Sequence, residues 1–416
     1  MKRLISLAFV ALTLSASATD TETRIFDPSV RSLRASVEGD YYAPAVIELD
    51  GESRIRVEFD DINSDRRYLR YSILHCDASW QPSQLVESDY VDGFNQADVE
   101  DYGFSSGTFE QYVHYGITLP NDDMPILLSG NYLLKVYLEN DPDEVLLQQR
   151  FSIVEKRVGV RASVTSRTDI DYNGSYQQVT VTVDGSTYDI NNPYNDLTVV
   201  VTQNSRSDNE AVVTKPLRVT GGDIVFEHDR ALIFPGGNEF RRFEMTTTNY
   251  AGMGVERYTY NAPYHHAVLQ PDKPRSGQSY TYDRTQYGRF TIRESNAYES
   301  DTQADYMITH FSLEMPRLQG GNVYVDGEFT QHRFANANRM HYDEETGRYE
   351  LDLPLKQGAY NYQYLWLPDG HTAAQTAKIE GDHYQTVNEY QVRVYYRRPG
   401  ERYDRMIGYG ILYSGH

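Results

Sequence analysis

The stretch GAYNYQYLWLPDG, from Gly358 to Gly370, constrains the fold more than any other part of the chain. Tyr360, Tyr362, Tyr364 and Trp366 fall at every second position. In a strand, side chains point to opposite faces in turn, so these four rings share one face. A helix would scatter them around its axis. The face is either an aromatic platform open to a ligand or the inner side of a β-sheet. Tyr supplies 36 of the 416 residues, and Tyr favours strands and half-buried surfaces. Strand patterns recur along the chain, with turn residues about every eight to twelve positions, and no long stretch has a helical apolar period. The fold class read from this pattern is all-β, as three tandem immunoglobulin-like β-sandwich domains.

The first sandwich is expected over 24–155. Ala45 to Asp61 reads as two strands joined by a turn at Asp50-Gly51. Arg67 to His75 gives a third strand, and Gly130 to Glu155 a closing hairpin around Asn140-Asp141-Pro142-Asp143. Between them, Cys76 to Pro125 has poor periodicity and a length uncommon in a loop without function. The second sandwich is expected over 156–263. Residues 264–301, rich in Tyr, Pro, Arg and Ser, read as a linker, and 302–416 as the third sandwich.

Residues 1–18 read as a signal peptide, with Lys2 and Arg3 before an apolar run from Leu4 to Leu14 and an Ala16-Ser17-Ala18 cleavage site. No later segment is long and apolar enough to span a bilayer. The expectation is an exported, soluble protein. Its formal net charge of −21 argues against a nucleic-acid partner, because phosphate binding needs a basic surface. The single cysteine, Cys76, cannot form an internal disulfide.

The motifs that carry chemistry are weak. Asp169, Asp171, Asn173 and Gly174 copy the first half of a calcium loop, but Thr180 stands where the bidentate Glu belongs; a hairpin turn is expected instead. His265-His266 lacks further converging ligands for zinc. His75 and Cys76 are adjacent on a strand and so point apart, which suits a buried Cys beside Trp80 better than a nucleophile and its base. No G-x-S-x-G, P-loop or H-E-x-x-H is present. The expectation is no catalytic residue, no metal and no cofactor.

The segment from Gly321 to Gly370 resembles the immunoglobulin-like, early-set glucan-binding domains of starch-branching enzymes and AMP-activated kinase β-subunits. In that family two Trp residues stack the sugar. Here His332 stands at the first position, and the second falls near His371 or Thr372. The resemblance therefore implies the fold without the stacking site, and the Tyr360 to Trp366 face reads as core. A glycan-binding protein of the periplasm or cell surface remains the alternative function.

Several long segments together resemble the plug protein family of the type IX secretion system of Bacteroidota: Arg67 to Leu85, Asp89 to Asp123, Leu128 to Leu146, Phe234 to Glu244, Leu353 to Gly370 and Glu380 to Gly408. The resemblance implies a non-enzymatic periplasmic protein at the inner face of the outer membrane. Its partner would be the very large translocon β-barrel, whose periplasmic mouth it closes. The expected contacts are Asp89, Tyr90, Asp92, Phe94, Tyr102 and Tyr112 in the long irregular segment, and Phe234, Asn238 and Phe240 in the following turn region. The open alternative is that these residues pack between the protein's own domains.

Overall fold

Alternation along the strands sets the layers. In the strand Tyr176–Asp184, Val179, Val181 and Val183 are fully buried, while Thr180 and Thr182 on the other face are half-buried. The same pattern repeats through a chain whose regular secondary structure is almost all strand, as expected for all-β sandwiches. The computed structural model describes residues 20–415; the expected signal peptide lies outside the described residues.

The N-terminal sandwich faces one sheet built on Gly130–Leu138, Asp141–Val154 and Leu69–Cys76 against a second of Val30–Val37, Ile55–Asp61, Val113–Leu119 and Asp101–Phe104. Phe59, Tyr115, Tyr132 and Phe151 fill the space between them. Fully burying a large apolar side chain contributes about 1.5–3 kcal/mol. The hairpin from Gly130 to Val154 forms as read from sequence. The Asp50-Gly51 turn is not a hairpin. Val46–Glu48 pairs in parallel with Asp141–Val154, and Ile55–Asp61 lies in the opposite sheet. The turn, with Asp50 at φ 61°, carries the chain across the sandwich.

The expected boundaries of the second and third sandwiches do not match sheet membership. Leu197–Gln203 pairs with Ala211–Val213 on one edge and with Glu389–Tyr396 on the other, and Arg405–Tyr413 extends that sheet. The last two strands of the chain therefore complete the middle sandwich, whose core is Val179, Val181, Val199, Val201, Phe226, Phe234, Tyr390 and Tyr396. The third sandwich is inserted between strands of the second. It takes Arg241–Met245 and Val255–Asn261 from the expected second unit. It also takes Tyr264–Leu269 and Phe290–Ile292 from the expected linker. The physical reason is that a period of two shows which face of a strand is buried but not which strand meets its edge.

The strand Gly358–Pro368 is the spine of the third sandwich and pairs with Arg241–Met245, Phe290–Ile292 and Gly321–Asp326. Its ring-bearing face is core: Tyr360, Tyr362, Tyr364 and Trp366 are all buried. Tyr360 stacks between Phe243 and Phe290 at centroid distances of 5.0 and 5.4 Å. The chain enters this sandwich through Gly236 and Gly237. A Cβ on Gly236 would lie 2.3 Å from the His383 carbonyl oxygen, and Gly237 has φ 60°, so both positions favour glycine.

Candidate functional site

Of the nine expected contact residues, five are internal. Tyr90, Tyr112, Phe234, Asn238 and Phe240 are buried. The Tyr90 hydroxyl donates to the Ile73 carbonyl at 3.2 Å. Phe234 packs edge-on against Tyr390 in the middle core. Asn238 donates to the Glu380 carbonyl at 2.7 Å. For these five residues the structure favours the alternative of internal packing over partner contact. Asp89 is half-buried and paired with Arg402 at 2.8 Å. Asp92, Phe94 and Tyr102 remain exposed.

Tyr112 marks the joint between the N-terminal and third sandwiches. Its hydroxyl donates to the Ala304 carbonyl at 2.7 Å, and its ring lies 4.1 Å from the Lys356 ammonium. Lys356 Nζ donates to Asp60 Oδ2 at 2.6 Å, with both side chains 1% exposed. Tyr306 donates to the same oxygen at 2.7 Å, and His114 Nδ1 meets Asp60 Oδ1 at 2.8 Å. Burial alone would push the Asp60 carboxyl up; Lys356 and His114 overcome this and hold it below the ordinary carboxylate range. Burial likewise pulls His114 down, but hydrogen bonds to Asp60 and Glu58 push it up to about 9. Backbone contacts add to the joint: Ser106 N–H donates to the Thr302 carbonyl at 2.9 Å, and Phe109 N–H to the Asp305 carboxylate at 2.8 Å. Sequence reasoning missed Asp60, Lys356 and Tyr306. The strands Ile55–Asp61 and Arg348–Lys356 carry charged residues along their length, so nothing in the sequence set Asp60 or Lys356 apart.

Glu58, His114 and Asp301 converge closely enough to share an ion. The chemistry of the surrounding groups opposes a cation, since Glu58 already pairs with Arg34 and Arg56, and Lys356 donates to the Asp301 carbonyl. The other sequence motifs resolve into local structure. Asp171 accepts the Ser175 N–H at 2.7 Å, and Asp169 bonds Gln178 and His228, the capped turn expected there. His75 and Cys76 do not form a nucleophilic pair. His75 Nε2 faces the Ser129 carbonyl at 3.1 Å, and burial lowers its pKa to about 4. Cys76 packs with Trp80 and Leu133, where burial pushes its thiol up to about 12. His265 and His266 part company: His265 packs on Phe109, and His266 Nδ1 meets His310 Nε2 at 2.8 Å.

What the surface offers is a cationic and aromatic cluster at one end of the N-terminal sandwich. The Arg66 guanidinium lies 4.8 Å from the Tyr68 ring and 4.0 Å from the Tyr102 ring. Tyr102 meets Phe104 edge-on at 5.8 Å. Tyr68 is 64% exposed and Phe104 53%. Tyr102 and Phe104 sit two residues apart on the edge strand Asp101–Phe104, so they share a face. Arginine held between tyrosines has the composition of an interface centre.

The fold and this surface define a class: a multi-sandwich β-protein whose parts are locked by buried ionic joints and whose free aromatic groups cluster outside. A family model described as "Type 9 secretion system plug protein 1st domain" matches residues 30–155, the N-terminal sandwich. A crystal structure of a hypothetical protein from Parabacteroides merdae is similar over 95% of this chain and 99% of that one, with 40% sequence identity and a TM-score of 0.93. A search of curated proteins finds no match. The chain belongs to the type 9 secretion system plug protein family.

Proposed function

We propose that this chain is exported to the periplasm and seals the periplasmic opening of the type 9 outer-membrane translocon barrel, as a structural part and not a catalyst. Family membership carries this reading. The joints supply physical support. A wide barrel that must not leak needs a stopper that does not deform, and Asp60–Lys356 and Arg289–Glu389 tie sandwiches together through buried, charge-assisted contacts.

The docking surface in this proposal is the cluster of Arg66, Tyr68, Tyr102 and Phe104, with the exposed Asp98, Glu100 and Asp101 beside it in the chain. Tyr and Arg are the residue types that anchor interfaces. A polar rim keeps the contact moderate, as a plug that must leave requires.

The test has two arms. Deleting the gene should let the outer membrane admit solutes too large for ordinary porins. The translocon barrel purified from the deletion strain should also retain the added protein. A deletion strain that stays impermeable, together with no association between protein and barrel, would refute the proposal.

A further inference from the structure

At the point where the three sandwiches meet, a cavity of about 190 Å³ is lined by side chains from each of them. That is room for about six waters at about 30 Å³ each, or for one small solute. Five arginines and three glutamates, Glu22, Glu210 and Glu328, line it, a local excess of positive groups in a chain whose net charge is −21. Three of the five are paired. Arg34 binds Glu58, Arg289 grips Glu389 through two hydrogen bonds, and Arg333 meets Glu22 at 2.8 Å.

Arg150 and Arg393 differ. Arg150 lies on the strand Asp141–Val154, with its guanidinium 4.3 Å from the Trp80 ring. Its Nε donates to the Thr21 carbonyl at 2.7 Å, and no carboxylate of the described residues lies within ion-pair distance. Burial holds its pKa below the ordinary value, as expected of a cation with too little negative charge around it. Arg393 comes from the middle sandwich, on Glu389–Tyr396. Its Nη2 donates to Gln391 at 3.3 Å, but its Nε is buried without a partner among the described residues, and so is the Thr202 hydroxyl on the neighbouring strand. Glu210 is the carboxylate closest to Arg393, at 3.9 Å, well beyond the 2.7–2.9 Å or so of a charge-assisted hydrogen bond. A buried donor left unpaired destabilises its surroundings, so the cavity carries unmet demand for an acceptor.

We infer that this junction cavity is a binding site for a small oxyanion, a phosphate or a carboxylate, held by Arg393 and Thr202 from the middle sandwich and Arg150 from the N-terminal one. Arg–oxyanion pairs are planar, directional and strong. The Trp80 ring fixes one guanidinium in place, which limits the ordering cost of binding. A ligand there would bridge two sandwiches and stabilise their junction by mass action. Glu210 is the internal competitor that an incoming anion must displace or repel.

Isothermal titration calorimetry on the purified protein tests this, with inorganic phosphate in one series and succinate in another at ionic strength held constant with chloride. Saturable binding at one site by either anion is expected. Phosphate alone would identify the ligand as a phosphate, and succinate alone as a carboxylate. Arg393→Gln should weaken binding by about tenfold or more, and Thr202→Val by a smaller factor. Glu210→Gln should strengthen binding, a gain that loss of folding cannot imitate. The inference fails if neither anion binds saturably, or if Arg393→Gln and Glu210→Gln both leave the affinity unchanged.

Discussion

Asp60 and Lys356 stand 296 residues apart in sequence and 2.6 Å apart in space, with both side chains 1% exposed. Each would be costly to bury alone. Together with Tyr306 and His114 they satisfy one another, and they do so only when the N-terminal and third sandwiches are docked.

Removing one partner should therefore expose the dependence. Lys356→Met leaves the Asp60 carboxylate buried without its cation and should cost about 3–5 kcal/mol. Asp60→Leu combined with Lys356→Met should recover much of that loss, since the pair then becomes apolar. Urea denaturation of the single and double variants measures both. A single variant as stable as the parent would show that the pair is not a joint.

The same cluster sets a pH dependence. His114 is pushed up to about 9 in the folded protein, against about 6.5 in an unfolded chain. A raised value means that its contribution is fully present below about pH 6.5 and is lost as pH rises through about 9, on the order of 3 kcal/mol in all. Melting temperature should fall across that window, and His114→Gln should flatten the fall. An unchanged slope in the variant would assign the loss to other groups.

The aromatic stripe should behave as core. Tyr362→Ala or Trp366→Ala removes a buried ring and should destabilise the protein by about 3–5 kcal/mol. Neither change should affect sugar binding, because titration of the parent with maltooligosaccharides should show none. Micromolar binding lost in these variants would restore the platform reading.

The exposed cluster should behave oppositely. Tyr68→Ala with Phe104→Ala should leave the melting temperature nearly unchanged, as exposed substitutions usually cost under about 0.5 kcal/mol each. The pair should weaken retention on the translocon barrel and raise outer-membrane permeability. Full retention would move the docking surface elsewhere on the molecule.

A fragment of residues 302–416 should not fold. Its strands Glu389–Tyr396 and Arg405–Tyr413 would lose the partner Leu197–Gln203, and its core would lose Phe243 and Phe290. Residues 241–380 hold every strand of the third sandwich and should fold alone, as circular dichroism of the two fragments would show.

The sequence by itself determined the β class, the hairpin from Gly130 to Val154, the burial of Cys76 beside Trp80 and the shared face of Tyr360, Tyr362, Tyr364 and Trp366. All of these follow from local alternation or from near neighbours in the chain. The tertiary structure alone decided that Leu197–Gln203 pairs with Glu389–Tyr396, that Tyr112 and Phe234 serve internal packing, and that Asp60 finds Lys356. Alternation assigns a side chain to a face but is silent on what covers that face. A charge in a strand reads as solvent-exposed until folding brings its counter-charge from the far end of the chain.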